Sequence, residues 1–231
     1  MTEGTQGASK GAAAETRGDT REFFANAEAF YRLLGSMFYL ELTEEQIQGL
    51  ARSGFDYPED GTQMAQGCRE IRTYLDRRGA NARRDLAVDY ARIFLAAGIH
   101  EGETAVPFES VYTSDEGILM QDSRDDVVRV YRANGLVVPT DLNVPEDHLA
   151  FELEFMAHVS GRIAARLSAG EPADDALAVQ RAFIDEHLLN WLPLLQERVE
   201  KHAKLAFYPA LVKIARSFIE ENRIVVEEAL R

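Results

Sequence analysis

The chain has 231 residues, of which 25 are basic and 39 acidic, with one cysteine and 46% hydrophobic residues. That hydrophobic fraction is too high for a disordered chain, and the length suffices for one large domain or two small ones. The lone thiol, Cys68, excludes intrachain disulfides and Cys-rich zinc or iron–sulfur sites. The net charge of −14 argues against nucleic acid and anionic membrane surfaces and favours a basic partner.

No stretch approaches the about 18 consecutive apolar residues of a membrane span. Residues 1–20 are rich in Gly, Ala, Thr and Glu without an apolar run, so they are expected to form a flexible tail and not an export signal. A cytoplasmic location is the simplest expectation.

In chain order, Phe23, Ala27, Phe30, Tyr31, Leu34 and Phe38 recur in steps of three and four, which predicts a helix with one apolar face. Thr43 and Gln46 have capping-box spacing and open a second, short helix. A loop over 54–61 precedes helices predicted over 62–78 and 83–95, the second with Leu86, Tyr90, Ile93 and Phe94 inward. Residues 99–121 lack a helical period and are expected to form a long ordered loop, a kind of segment that is usually functional. A helix over 124–133 ends at Asn134-Gly135, and 136–143, with Pro139, reads as a linker or hinge.

Asn143, Pro145 and Glu146 then give a strong helix-start signal, with Asn143 as N-cap and Asp147 adding favourable charge. That helix is expected to bury Leu149, Leu153, Met156, Ile163 and Leu167 and to end at Gly170-Glu171-Pro172. The next carries Phe183, Leu188 and Trp191 until Pro193 breaks or restarts it, and a final helix follows Pro209. No period-2 strand pattern appears. The fold class is therefore all-α, a helical bundle over 21–135 joined through 136–143 to a smaller helical part over 144–231.

Residues 101–160 hold 13 acids against 3 basic residues, a net −10. Such acids commonly form solvated helix faces, but this concentration also fits a negative field around a site for a cationic ligand. His148, Glu152, Glu154, Asp147 and His158 supply metal-ligand types on neighbouring helix faces. The di-iron Glu-x-x-His pattern is absent, however, because Glu154 and His158 are four apart and no second copy occurs. Cys68 and Ser110 lack the neighbours of a nucleophile, and no phosphate-binding glycine motif is present. No cofactor, metal or catalytic residue is assigned. Trp191 and Phe183 read first as core.

Four motifs in order carry a resemblance. Asp89-Tyr90-Ala91-Arg92-Ile93-Phe94-Leu95 resembles an Asp-Tyr-x-x-Leu-Phe helix, and Pro107-Phe108-Glu109-Ser110-Val111-Tyr112 a Pro-x-Glu-Ser-Val-Tyr signature continued by 115–120. Pro145-Glu146-Asp147-His148-Leu149 with 152–156 is similar to a hinge-and-helix motif, and Phe183 with His187-Leu188 and Trp191-Leu192-Pro193 to a C-terminal motif. Together they resemble the TorD/DmsD family of redox-enzyme maturation chaperones, from Phe23 to about Ile219. Phe108 departs from the second proline or small residue that many members carry.

The resemblance implies an all-helical, non-enzymatic cytoplasmic chaperone. Its implied partner is the twin-arginine signal peptide of a molybdopterin oxidoreductase catalytic subunit, whose folding and cofactor insertion it assists before export. A monomer or a domain-swapped dimer through 136–143 would fit. The implied site comprises Pro107, Phe108, Glu109, Ser110, Val111, Tyr112, Glu146, Asp147, His148, Phe151 and Phe155. Glu109, Asp147 and Glu146 would face the guanidinium groups, and Phe108, Val111, Tyr112, Phe151 and Phe155 would line an adjoining apolar groove. The competing readings are a metal-dependent carboxylate/His enzyme and a generic helical scaffold.

Overall fold

The computed structural model describes residues 4–97 and 104–231. Its elements are α1 (Gly4–Tyr39), α2 (Glu44–Ser53), α3 (Gln63–Arg77), α4 (Ala82–Phe94), the single turn α5 (Ser110–Thr113), α6 (Asp122–Ala133), α7 (Leu149–Ala169), α8 (Asp174–Phe183), α9 (Leu192–His202) and α10 (Phe207–Ala229). Among the described residues the only extended pairing is an isolated bridge between Phe108 and His148, so the fold is all-α as expected. No described helix is long and apolar enough to cross a membrane.

Two antiparallel helix pairs organise the bundle. In the first, α1 lies along α7: a Cβ on Gly35 would meet the Ala150 carbonyl oxygen at 3.1 Å, and one on Gly161 would meet the Glu28 carboxylate at 2.6 Å. In the second, α3 lies along α10, with Lys213 Nζ on Glu70 Oε2 at 3.1 Å and the Tyr74 and Phe207 rings 5.7 Å apart. Phe218 of α10 then contacts Phe23, Phe30 and Tyr31 of α1, which ties the pairs together. One continuous core therefore runs from Phe24, Leu34 and Phe38 through Ile71 and Phe94 to Met156, Trp191 and Ile214, across the 136–143 segment.

Helix ends follow local chemistry in most places. The Gln46 N–H donates to Thr43 Oγ1 (3.2 Å) and the Thr43 N–H to Gln46 Oε1 (2.8 Å), the predicted capping box. Gly54 and Gly170 sit in the left-handed region at the C-caps of α2 and α7. Pro193 restarts the chain in the first turn of α9, where a missing N–H costs no hydrogen bond. Between Phe183 and that restart lies a π-helical turn, Ile184–Leu188, which the sequence pattern did not show.

Four expectations need correction. The expected tail is helical from Gly4, since α1 runs on through the alanine-rich stretch, which favours helix; residues 1–3 lie outside the described residues. The expected loop over 99–121 contains α5, and its portion 99–103 lies outside the described residues. Asn143 is not an N-cap: at φ +50° it closes a 3₁₀ turn, Thr140–Leu142. The helix begins six residues later, at Leu149, with His148 as its N-cap.

The close approach of α3 and α10 yields a test. A Cβ on Gly67 would lie 2.7 Å from Ile214 Cγ1 and 2.9 Å from the Ala210 carbonyl oxygen, whereas Gly49 of α2 has nothing within 4 Å. Gly67→Ala should lower stability by about 1–3 kcal/mol through overpacking. Gly49→Ala should raise it by up to about 1 kcal/mol through helix propensity. Urea unfolding midpoints measure both.

Candidate functional site

The segment before α5 and the segment before α7 are bound to each other by main-chain and side-chain bonds. The Glu109 N–H donates to the Asp147 carbonyl (3.0 Å) and the Leu149 N–H to the Pro107 carbonyl (2.9 Å). Asp147 Oδ2 accepts from the Ser110 N–H (2.9 Å) and the Ser110 hydroxyl (2.5 Å). These bonds determine where α7 starts. They hold 145–148 in a turn, so that helical geometry begins only when His148 Nδ1 accepts from the Ala150 N–H (3.0 Å). The sequence motif was a sound local signal that a tertiary bond overrode.

Glu109, Ser110, Val111, Asp147, His148 and Phe155 are all buried. Phe108 packs its edge on His148 (4.8 Å), and Phe155 packs against Tyr131 and Phe183. Tyr112 lies 5.1 Å from Trp191, with the Arg198 guanidinium over its ring at 4.4 Å. The apolar groove expected between the two segments is therefore filled by the protein's own side chains. Glu146 is also occupied, in a bidentate pair with Arg124 (2.7 and 2.8 Å).

Burial sets the ionisation here. It raises the Asp147 carboxyl, an effect opposed by the Ser110 bonds, and it lowers His148 to about 4, which keeps the imidazole neutral as the cap acceptor. Glu152, fully buried, is pushed well above the ordinary glutamate value by burial, then by Glu109 and Asp147 nearby.

Two cavities flank this junction. The first is an acidic cleft of about 590 Å³, walled by α6, residues 113–116 and the π-helical turn. Glu109 reaches its floor, where Oε2 meets His187 Nδ1 at 3.1 Å and Oε1 accepts from Asn190 Nδ2 at 3.2 Å. Asp115, Glu116, Asp122, Asp126 and Glu186 line the walls. Arg129, the one Lys or Arg in the lining, is already paired with Asp126. The second is an apolar hollow of about 260 Å³ beside the hinge, lined by Tyr131, 136–139, Phe151 and Phe155, with Arg32, Glu154 and His158 around it.

The expected site is thus split. Of its carboxylates only Glu109 reaches the cleft, and Phe151 and Phe155 border a different cavity. The wall residues are not among the site residues that the sequence predicts, although Asp115 and Glu116 fall in the motif continuation 115–120. The excess of acid over 101–160 was the signal for Asp115, Glu116, Asp122 and Asp126. Glu186 had none, because only the fold brings it across from the π-helical turn. His158 and Glu154 stand apart from His148, and among the described residues no group of three His, Cys, Asp or Glu is placed to hold a metal ion.

The family model described as nitrate reductase delta subunit matches residues 58–197. The chain is 30% identical over 207 residues to the chaperone protein TorD of Vibrio cholerae serotype O1, covering 87% of this chain and 92% of that one. The chain belongs to the TorD/DmsD family of redox-enzyme maturation chaperones. Further similarity extends to the chaperone protein TorD of Vibrio vulnificus, 27% identical over 87% of this chain and 94% of that one. The TorD protein of Photobacterium profundum is 29% identical over 61% and 63%. These relatives are named as chaperones, not as catalysts, and this TorD-family chain is a redox-enzyme maturation chaperone.

Two titrations probe the junction. The folded His148 value lies below the free value of 6.5, so its contribution is present above that pH and is lost as pH falls toward about 4. In His148→Asn, which keeps an N-cap acceptor, the fall in urea midpoint between pH 6.5 and 4 should shrink, even with a lower plateau from lost ring packing. Glu152 has the opposite sign. Its folded value is raised, so stability is fully present below the unfolded value and is lost as pH rises through the folded one. Glu152→Gln should unfold at higher urea than the wild type at pH 8, with the difference vanishing near pH 4.

Proposed function

We propose that the protein binds, in the cytoplasm, the twin-arginine signal peptide of a molybdopterin oxidoreductase catalytic subunit. It holds the apo subunit while that subunit folds and receives its cofactor, and it releases the leader for export. The acidic cleft carries this reading. A guanidinium group is permanently charged and accepts carboxylates in a forked geometry. The cleft offers Asp115, Glu116, Asp122 and Glu186, none with a cation partner among the described residues, around a floor of buried Glu109 and His187 bordered by exposed Asn190. Family membership supports the client class, and the net −10 over 101–160 supports attraction of a cationic segment from a distance.

Magnitudes divide the labour. Exposed ion pairs contribute about 0–1 kcal/mol each, whereas a well-buried large apolar side chain contributes about 1.5–3 kcal/mol. Ordering a flexible peptide costs about 2–5 kcal/mol. Three or four apolar anchors and two ion pairs leave on the order of 6–8 kcal/mol, close to micromolar affinity. The carboxylates then set register and arrival rate.

Fluorescence-anisotropy titration with a labelled leader peptide tests this. Replacing both arginines with glutamine should weaken binding about 5- to 20-fold at low salt. Asp122→Asn with Glu186→Gln should weaken it about 3- to 10-fold and flatten its salt dependence. Equal affinity for the arginine and glutamine peptides would overturn the reading.

A further inference from the structure

Between Asp115-Glu116 and Gln121-Asp122, four residues that all line the acidic cleft, runs Gly117-Ile118-Leu119-Met120. Ile118, Leu119 and Met120 are 48%, 42% and 60% exposed. None of them belongs to the core or to the side chains packed against it. Three consecutive exposed apolar residues are a fault in a soluble protein unless they serve a purpose. Single exposed apolar residues elsewhere on the surface need no such account.

The strap is fixed at both ends. The Gly117 N–H donates to the Ser114 carbonyl (3.3 Å), and the Arg124 N–H donates to the Gln121 carbonyl (3.0 Å), opening α6. Gln121 Nε2 donates back to the Leu119 carbonyl (3.1 Å). Gly117 at φ +63° and Met120 at φ +61° turn the chain at either end of the apolar run. The left-handed region is unfavourable for a methionine, and Met120 adopts it with its side chain exposed.

We propose that this strap is the apolar half of the peptide site. A ligand with two adjacent cationic side chains in the cleft lays the apolar residues that follow them on Ile118, Leu119 and Met120. The proposal rests on the cleft reading above and names a surface that reading left open. The strap is preferred to the hollow beside the hinge because both of its flanks are walls of the cleft, whereas the hollow and the cleft share no lining residue. The occupant follows from the same adjacency: strong negative charge directly bordering an apolar strip matches a segment that is cationic and then apolar. Methionine and leucine suit apolar partners of varied sequence because their side chains repack readily.

The test uses the full chain and two labelled peptides, each with an Arg-Arg pair, one followed by a leucine-rich run and the other by serine and glycine. Replacing Ile118, Leu119 and Met120 together with serine should weaken the leucine-rich peptide about 10- to 100-fold. The slope of affinity against salt should stay as in wild type, and the serine–glycine peptide should bind both proteins equally. Val137→Ser, at an exposed position of the hollow, should leave both affinities unchanged. If the triple variant unfolds early by circular dichroism, Leu119→Asp replaces it, with an expected loss of about 10-fold. Wild-type affinity in the strap variant, or a loss confined to Val137→Ser, overturns the strap while leaving the cleft intact. Failure of wild-type protein to prefer arginine over glutamine in the pair overturns the cleft reading and the strap with it.

Discussion

The arrangement of this molecule turns on the Asp147 carboxylate. One of its oxygens takes both the main-chain and the hydroxyl hydrogen of Ser110, while the Asp147 carbonyl accepts from the Glu109 N–H and the Leu149 N–H donates to the Pro107 carbonyl. Hydrogen bonds to a charged group inside a protein are worth about 1.5–3 kcal/mol each, more than neutral ones. Their cost is the burial of a charge, visible as the raised Asp147 value. This joint fastens the segment before α5 to the head of α7, the helix that packs along α1. It thereby sets where α5 lies, where Glu109 points and where the acidic cleft opens.

From that joint the carboxylates separate into two populations. Asp147, Glu152 and Glu109 are buried and belong to the interior, together with Asp89, which accepts the N–H groups of Lys204 and Leu205 ahead of α10. Asp115, Glu116, Asp122 and Glu186 stand at the cleft in solvent. A buried carboxylate with fixed partners cannot turn to greet a ligand without giving up bonds that position a helix. An exposed one retains both its charge and its freedom. Glu109 belongs to both groups: it is held by His187 and Asn190, yet it forms the floor of the cleft.

The π-helical turn completes the geometry. By widening the helix for a single turn it lets His187 reach Glu109 while Trp191 Nε1 donates to the His187 carbonyl (2.6 Å). Trp191 is thereby bonded to the turn that carries His187, and its ring lies 5.1 Å from that of Tyr112. A maturation chaperone in the TorD/DmsD family must hold a client and then let it go. In the proposed binding mode, a cleft of solvated carboxylates beside a small apolar strip suits that requirement better than a deep hydrophobic trough, since ion pairs in water form quickly and contribute little.

The sequence by itself determined the helices with strong period or strong caps: the apolar face of α1, the capping box of α2, the glycine stop of α7, the proline restart of α9 and the all-α class. These depend on contacts within a few residues, which spacing records directly. It also placed the excess of negative charge between 101 and 160, and it singled out the segments 107–112, 145–149 and 183–193, which do meet in space. What only the tertiary structure decided was how they meet. Asn143 and Pro145 carry a sound local start signal, yet α7 begins at Leu149 because Ser110, 37 positions away from Asp147, claims its carboxylate. Phe151 and Phe155 read as groove residues because they are apolar and close to the motif, but the fold turns them toward a separate hollow. Whether an acid is buried in a joint or exposed at a cleft depends on neighbours far along the chain, and linear order carries no record of them.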